Sequence, residues 1–151
     1  MAVNPNTDFV AGAILTASQQ NRFGRGAMGY VSKSDGNFAA LTTETDLTGM
    51  SITFTGVTGR LYRLSTGIVG LKNTNAGYVF ITAKDASNAI IGQNGATTTA
   101  GGYVNLAATY LFTAVGATTI RLTGQAENTS VTFQANSAIK CTMIIEDVGF
   151  A

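Results

Sequence analysis

Met50-Ser51-Ile52-Thr53-Phe54-Thr55 alternates an apolar residue with a hydroxyl residue at every step. A side-chain period of two marks a strand with one buried and one wet face. Gly56 to Gly59 supplies a turn, and Leu61 to Leu71 then places Tyr62, Leu64 and Ile68 on one face, so the two runs read as a hairpin of long strands. Gly67 and Gly70 inside the second run signal a bulge or the close approach of another backbone.

The same rhythm continues downstream. Lys72 to Gly77 reads as loop, Tyr78-Val79-Phe80-Ile81-Thr82-Ala83 as a buried strand, and Asp85-Ala86-Ser87-Asn88 as a turn leading into Ala89-Ile90-Ile91. Gly92 to Gly102 has almost no core-forming residue and predicts a long exposed loop. Such loops often carry recognition, although a solvated or intersubunit loop is the plainer reading. Tyr103 to Val115 sets Val104, Leu106, Ala108, Tyr110 and Phe112 on one parity, as one unusually long strand or two with a bend. Thr118 to Thr123, Val131-Thr132-Phe133 and Ile139 to Ile145 complete the set, the last with Ile139, Cys141, Met143 and Ile145 inward. About eight closely spaced strands without a second helix point to an all-β, antiparallel β-sandwich of jelly-roll type over 31–151, with an open barrel as the alternative.

Residues 1–30 differ from this pattern. Asp8 to Gly26 is an apolar hook, and Thr16-Ala17-Ser18-Gln19 fits a capping box that starts a short helix over Ala17 to Arg22, stopped by Gly24. The segment reads as an extended docking arm with one helical turn, whose Phe9, Ile14, Leu15, Phe23 and Arg25 would meet a partner chain.

Composition narrows the chemistry. In 151 residues, charged side chains make up 11% and hydrophobic ones 45%, with a formal net charge of +1 and scattered basic residues. No electrostatic footprint for nucleic acid is present. No run approaches the ~18 apolar residues of a membrane span, and Met1 to Pro5 lacks the basic region of a secretory signal. Histidine is absent, which removes the commonest general base and transition-metal ligand. With Cys141 as the sole cysteine, neither an intrachain disulfide nor a usual zinc site can form. Glu44 and Asp46, two apart in an extended stretch, are the nearest approach to a carboxylate pair, but their threonine-rich surroundings read as polar loop. Glu146 and Asp147 point to opposite faces if they are still in a strand, where they would cap, bridge or meet a neighbour. Asp35-Gly36-Asn37 and Asp85 to Asn88 carry oxygens that suit calcium, yet Asx turns account for them more cheaply. Asn128-Thr129-Ser130 matches a glycosylation acceptor by coincidence. Tyr30, Tyr62, Tyr78, Tyr103 and Tyr110 would form a sugar-stacking platform if several were exposed. The expectation is a non-enzymatic chain without cofactor, metal, nucleic acid or membrane.

Thr7 to Asn21 resembles the F-x-A-G-x-x-L-T-A-x-x-x-N opening of small virion structural proteins of tailed bacteriophages, which often leads into a Gly-rich link like Gly24-Arg25-Gly26. Thr45-Asp46-Leu47-Thr48-Gly49, Gly59-Arg60-Leu61-Tyr62-Arg63-Leu64 and Ile144-Ile145-Glu146-Asp147-Val148-Gly149 look like the β-domain landmarks of the same minor tail or head decoration proteins. The resemblance implies a β-sandwich, frequently trimeric, located in the virion and attached to other virion proteins through its N-terminal segment. It supplies no catalytic residues. The alternative is a receptor- or glycan-binding module of a tail fibre, making contacts through the Lys72 to Gly77 loop and through Asn94, Thr97, Thr98 and Tyr103 in and beside the Gly92 to Gly102 loop.

Overall fold

Met50, Ile52 and Phe54 are buried while Ser51, Thr53 and Thr55 face solvent, as their alternation requires. They lie in a computed structural model that describes residues 25–38, 41–73, 75–129 and 131–150. These residues form nine strands: β1 (Gly26–Lys33), β2 (Thr45–Gly56), β3 (Arg60–Asn73), β4 (Gly77–Asp85), β5 (Ile90–Thr98), β6 (Tyr103–Thr113), β7 (Gly116–Ala126), β8 (Val131–Phe133) and β9 (Cys141–Phe150). One sheet has the order β1-β9-β3-β6, with β8 also paired to β3, and the other the order β2-β7-β4-β5. The antiparallel pairs nest: β4 with β5, β3 with β6 and β2 with β7, enclosed by β1 with β9. This is the jelly-roll sandwich.

β2 and β3 do not form the expected hairpin. β2 pairs with β7 and β3 with β6 and β9, so the chain crosses from one sheet to the other between them. Phe54 and Tyr62 meet across the core with ring centroids 5.0 Å apart, and Phe112 joins them at 6.2 and 5.8 Å. The Val57 N–H donates to the Tyr62 hydroxyl at 2.8 Å and holds the crossing. Both strands need an apolar face whether they pair side by side or face each other, so alternation alone does not distinguish the two arrangements.

The Gly92 to Gly102 stretch is also not the expected loop. Ile90 to Thr98 is β5, paired with β4 from Lys84↔Ile90 to Gly77↔Thr98. Its lack of bulky residues has a packing cause. A Cβ on Gly92 would fall 2.1 Å from the Tyr110 ring, and one on Gly95 would fall 2.5 Å from the Phe80 ring. Neighbouring rings cover this strand, so it needs little bulk of its own. Nor is Tyr78 to Ala83 wholly buried, because Val79, Ile81 and Ala83 face the core while Tyr78 and Phe80 face out. β3 runs on to Asn73, which shortens the Lys72 to Gly77 loop, and its register against β6 shifts between Ile68 and Leu71, beside Gly70. Ile139 is half-buried and precedes β9.

β1 begins inside the segment read as an arm and pairs with β9 from Gly26↔Asp147 to Lys33↔Cys141. The short helix and Phe9, Ile14, Leu15 and Phe23 lie outside the described residues. Where β1 passes β2, a Cβ on Gly29 would fall 2.3 Å from Ile52, and on the opposite side the Asn94 amide donates across to the Ala107 carbonyl at 3.0 Å. Both sides of the sandwich are thus nearly closed.

Arg60 and Asp147 are buried where β3 begins and β9 nears its end. Arg60 Nε and Nη2 donate to the two carboxylate oxygens at 2.5 and 2.7 Å, and the guanidinium lies 5.2 Å from the Phe150 ring centroid. Glu146, one residue earlier, points outward to Arg63 at 2.8 Å, giving the opposite facing read from the sequence. Removing one partner of a buried ion pair strands the other charge in low dielectric. Asp147→Ala is therefore expected to lower unfolding free energy by about 3–5 kcal/mol, read by chemical denaturation, whereas Glu146→Ala should cost under about 1 kcal/mol. Equal losses for the two variants would contradict this assignment.

Candidate functional site

The carboxylates flagged by the sequence are engaged in structural contacts. Glu44 accepts from Lys84 Nζ and from the Thr123 hydroxyl, both at 2.6 Å, and these two hydrogen bonds hold its carboxyl below the usual range. Asp46 pairs with Arg121 at 3.2 Å. Asp85 accepts from the Ser87 N–H and hydroxyl and from the Ala89 N–H, which closes an Asx turn and lowers its pKa, with the Ser87 hydroxyl the leading cause and the Ala89 N–H next. Asn88, at φ 71°, accepts from Arg121. Asp35 pairs with Lys33 at 2.5 Å, and Asn37 accepts from the Ala135 N–H. Among the described residues no three His, Cys, Asp or Glu side chains gather as a metal site would require. A shallow cavity of about 280 Å³ between the β4–β5 and β6–β7 turns is lined by Asp85, Phe112 and Thr118 among others, with the Asp85 carboxylate already occupied by its own turn.

The residues proposed for recognition are dispersed. Asn94 bridges to β6, and Thr98 is buried and donates to the Gly77 carbonyl. Tyr103 is exposed in β6, in the other sheet, while Thr97 is exposed opposite Tyr78. Arg25 is exposed immediately before β1. Of the five tyrosines, Tyr62 is core, Tyr110 is half-buried against β5, and Tyr30, Tyr78 and Tyr103 are exposed on separate strands.

Among the described residues, Tyr78 alone of these three has an exposed aromatic partner. Tyr78 and Phe80 stand on the wet face of β4, 55% and 36% exposed, with centroids 6.4 Å apart and planes 16° from parallel. Register places Thr97 and Gly95 beside them on β5, and Gln125 opposite Phe80 on β7. Glu127 follows β7, accepting from the Tyr78 N–H at 2.9 Å through its carboxylate while its own N–H donates to the Tyr78 carbonyl at 2.9 Å. Next along the face, Gln93 donates to the Thr82 hydroxyl at 2.9 Å. The sequence carried this signal as Tyr and Phe two apart, but reading the stretch as wholly buried hid it.

No family model matches the sequence, and no curated protein matches it. Solved structures do. The CBM22-1 xylan-binding domain from Paenibacillus barcinonensis Xyn10C matches over 86% of this chain and 99% of its own, at 10% identity and a TM-score of 0.41. The CBM36-1 domain of a multidomain xylanase from the hindgut metagenome of Trinervitermes trinervoides matches over 82% and 97%, at 13% identity and 0.34. A CBM4 structure matches over 82% and 94%, at 14% identity and 0.28. At these identities the likeness is one of fold alone.

Two predictions follow from the side-chain chemistry. Burial pushes the Cys141 thiol up to about 12, so thiolate is scarce at pH 8. A disulfide reagent should leave the native chain unmodified and label it at one site once denaturant unfolds it; rapid native labelling would contradict the burial. For Glu44 the folded pKa is depressed, so its contribution is present above the unfolded carboxylate pKa and lost as pH falls through the folded value. Glu44→Gln should cost under about 1 kcal/mol near neutrality. That difference should vanish in acid when stability is followed against pH.

Proposed function

We propose that the chain is a structural protein of a tailed-bacteriophage virion, of the minor tail or head decoration type. It joins the particle through its N-terminal segment and assembles with copies of itself, as a trimer, through its β domain. The supporting observation is where the stretches that resemble landmarks of such proteins fall. Gly59 to Leu64 opens β3 and Ile144 to Gly149 lies in β9, and the two meet through Arg60–Asp147 and Arg63–Glu146. The third landmark, Thr45 to Gly49, opens β2, where Asp46 pairs with Arg121 and Gly49 takes a φ of 83°. Residues that set strand register suit a repeated structural component, whose demands are architectural.

This reading makes a direct demand on purified particles. The chain should co-sediment with intact virions, and a label on it should appear at a fixed place in negative-stain images. Phe9→Ala with Leu15→Ala should strip it from particles while leaving the free protein's unfolding midpoint unchanged. Virions that lack the chain, or incorporate the double variant normally, would reject the particle role or the anchor respectively.

A further inference from the structure

We propose that the outer face of β4, flanked by β5 and β7, is a binding site for an uncharged saccharide, with Tyr78 and Phe80 as the stacking surface. Packing accounts for Phe80 alone, since its ring covers Gly95, where a side chain would collide with it. Tyr78 has no such duty. It stands opposite Thr97 rather than a glycine, and more than half of it remains in water. A tyrosine left exposed beside a near-parallel phenylalanine gives up burial that a hydroxyl residue at the same place would not need.

The surroundings select the ligand class. Thr97 and Gln93 border the rings on β5, and Gln125 and Glu127 border them on the β7 side. The strip itself is narrow and apolar, while its margins are amides, a hydroxyl and one carboxylate. A saccharide has the complementary form, with C–H faces for rings and hydroxyl edges for the polar margin. Charge points the same way. The nearest cations by register, Lys84 and Arg121, lie two rows from Phe80 and are paired with Glu44 and Asp46. A polyanion would find no free cation among the described residues of this face. Of the carboxylates on the described part of this face, Glu44 and Asp46 are paired with those cations and Glu127 already holds the Tyr78 N–H, which leaves little for a polycation. The two-ring strip is also small beside the ~800 Å² per partner of a standard protein interface.

The site uses none of the residues of the proposed anchor, so it can be tested on the free full-length chain. Amide NMR titrations with neutral hexasaccharides of glucose, xylose, mannose and galactose, and with polygalacturonate as the charged control, provide the readout. At least one neutral probe should shift the amides of Tyr78, Phe80, Gly95, Thr97 and Gln125, and polygalacturonate should not. Tyr78→Ala should weaken that affinity by about tenfold or more, with the unfolding midpoint retained because the ring is exposed. Tyr78→Phe should keep most of the affinity. No response to any neutral probe, shifts confined to another face, or affinity unaffected by Tyr78→Ala would each overturn the proposal. So would concentration-dependent shifts of the same amides without sugar, which would assign the face to a second copy of the chain.

Discussion

Arg60 and Asp147 fix the sandwich by forbidding its nearest mistake. Slipping β9 by one residue against β3 would turn Cys141, Met143 and Ile145 out of the core and bring Glu146 inward in place of Asp147. The buried bidentate pair ties one register of β9 to the start of β3, and the Gly149 N–H donates to the same carboxylate at 3.0 Å. Val148 is the residue left over where the β3–β9 register shifts between Leu61 and Tyr62. Since β9 also pairs with β1, the position of a third strand depends on the same charges.

What the sequence made legible was which way residues face, and what it concealed was which strands are neighbours. Alternation at Met50 to Thr55 and at Tyr103 to Val115 assigned inside and outside correctly, and the adjacent acids at Glu146 and Asp147 divided between the two faces as a strand demands. Alternation carries no information about partners, so the crossing at Gly56 to Gly59 resembled a hairpin. The glycines of β5 resembled a loop because the rings that cover them, Tyr110 and Phe80, belong to other strands. The exposed aromatic pair is the exception on facing: reading Tyr78 to Ala83 as wholly buried hid it, and its setting depends on residues 13 to 49 positions away, brought beside it by pairing.

The sparse charges are mostly spent inside the fold. Glu44, Asp46, Glu146 and Asp147 each join different strands or their approaches, while Asp35 and Asp85 hold local turns. The outer faces are left to threonine, glycine, alanine, amides and a few exposed rings. Such a surface lacks long-range repulsion between like copies, so close contacts meet a low electrostatic barrier.

The sandwich also has a polarity along its strands. Gly26 enters β1 opposite Asp147, at the end that holds the β2–β3 crossing, the Asp85 turn and the β6–β7 turn. Tyr78 sits next to the first residue of β4, whereas Asp85 ends that strand. Gly26 and the aromatic pair therefore belong to opposite ends of the domain. A surface seated against the Gly26 end would leave the Tyr78 end directed away from it, so the domain can be held at its base while its tip faces the surrounding medium.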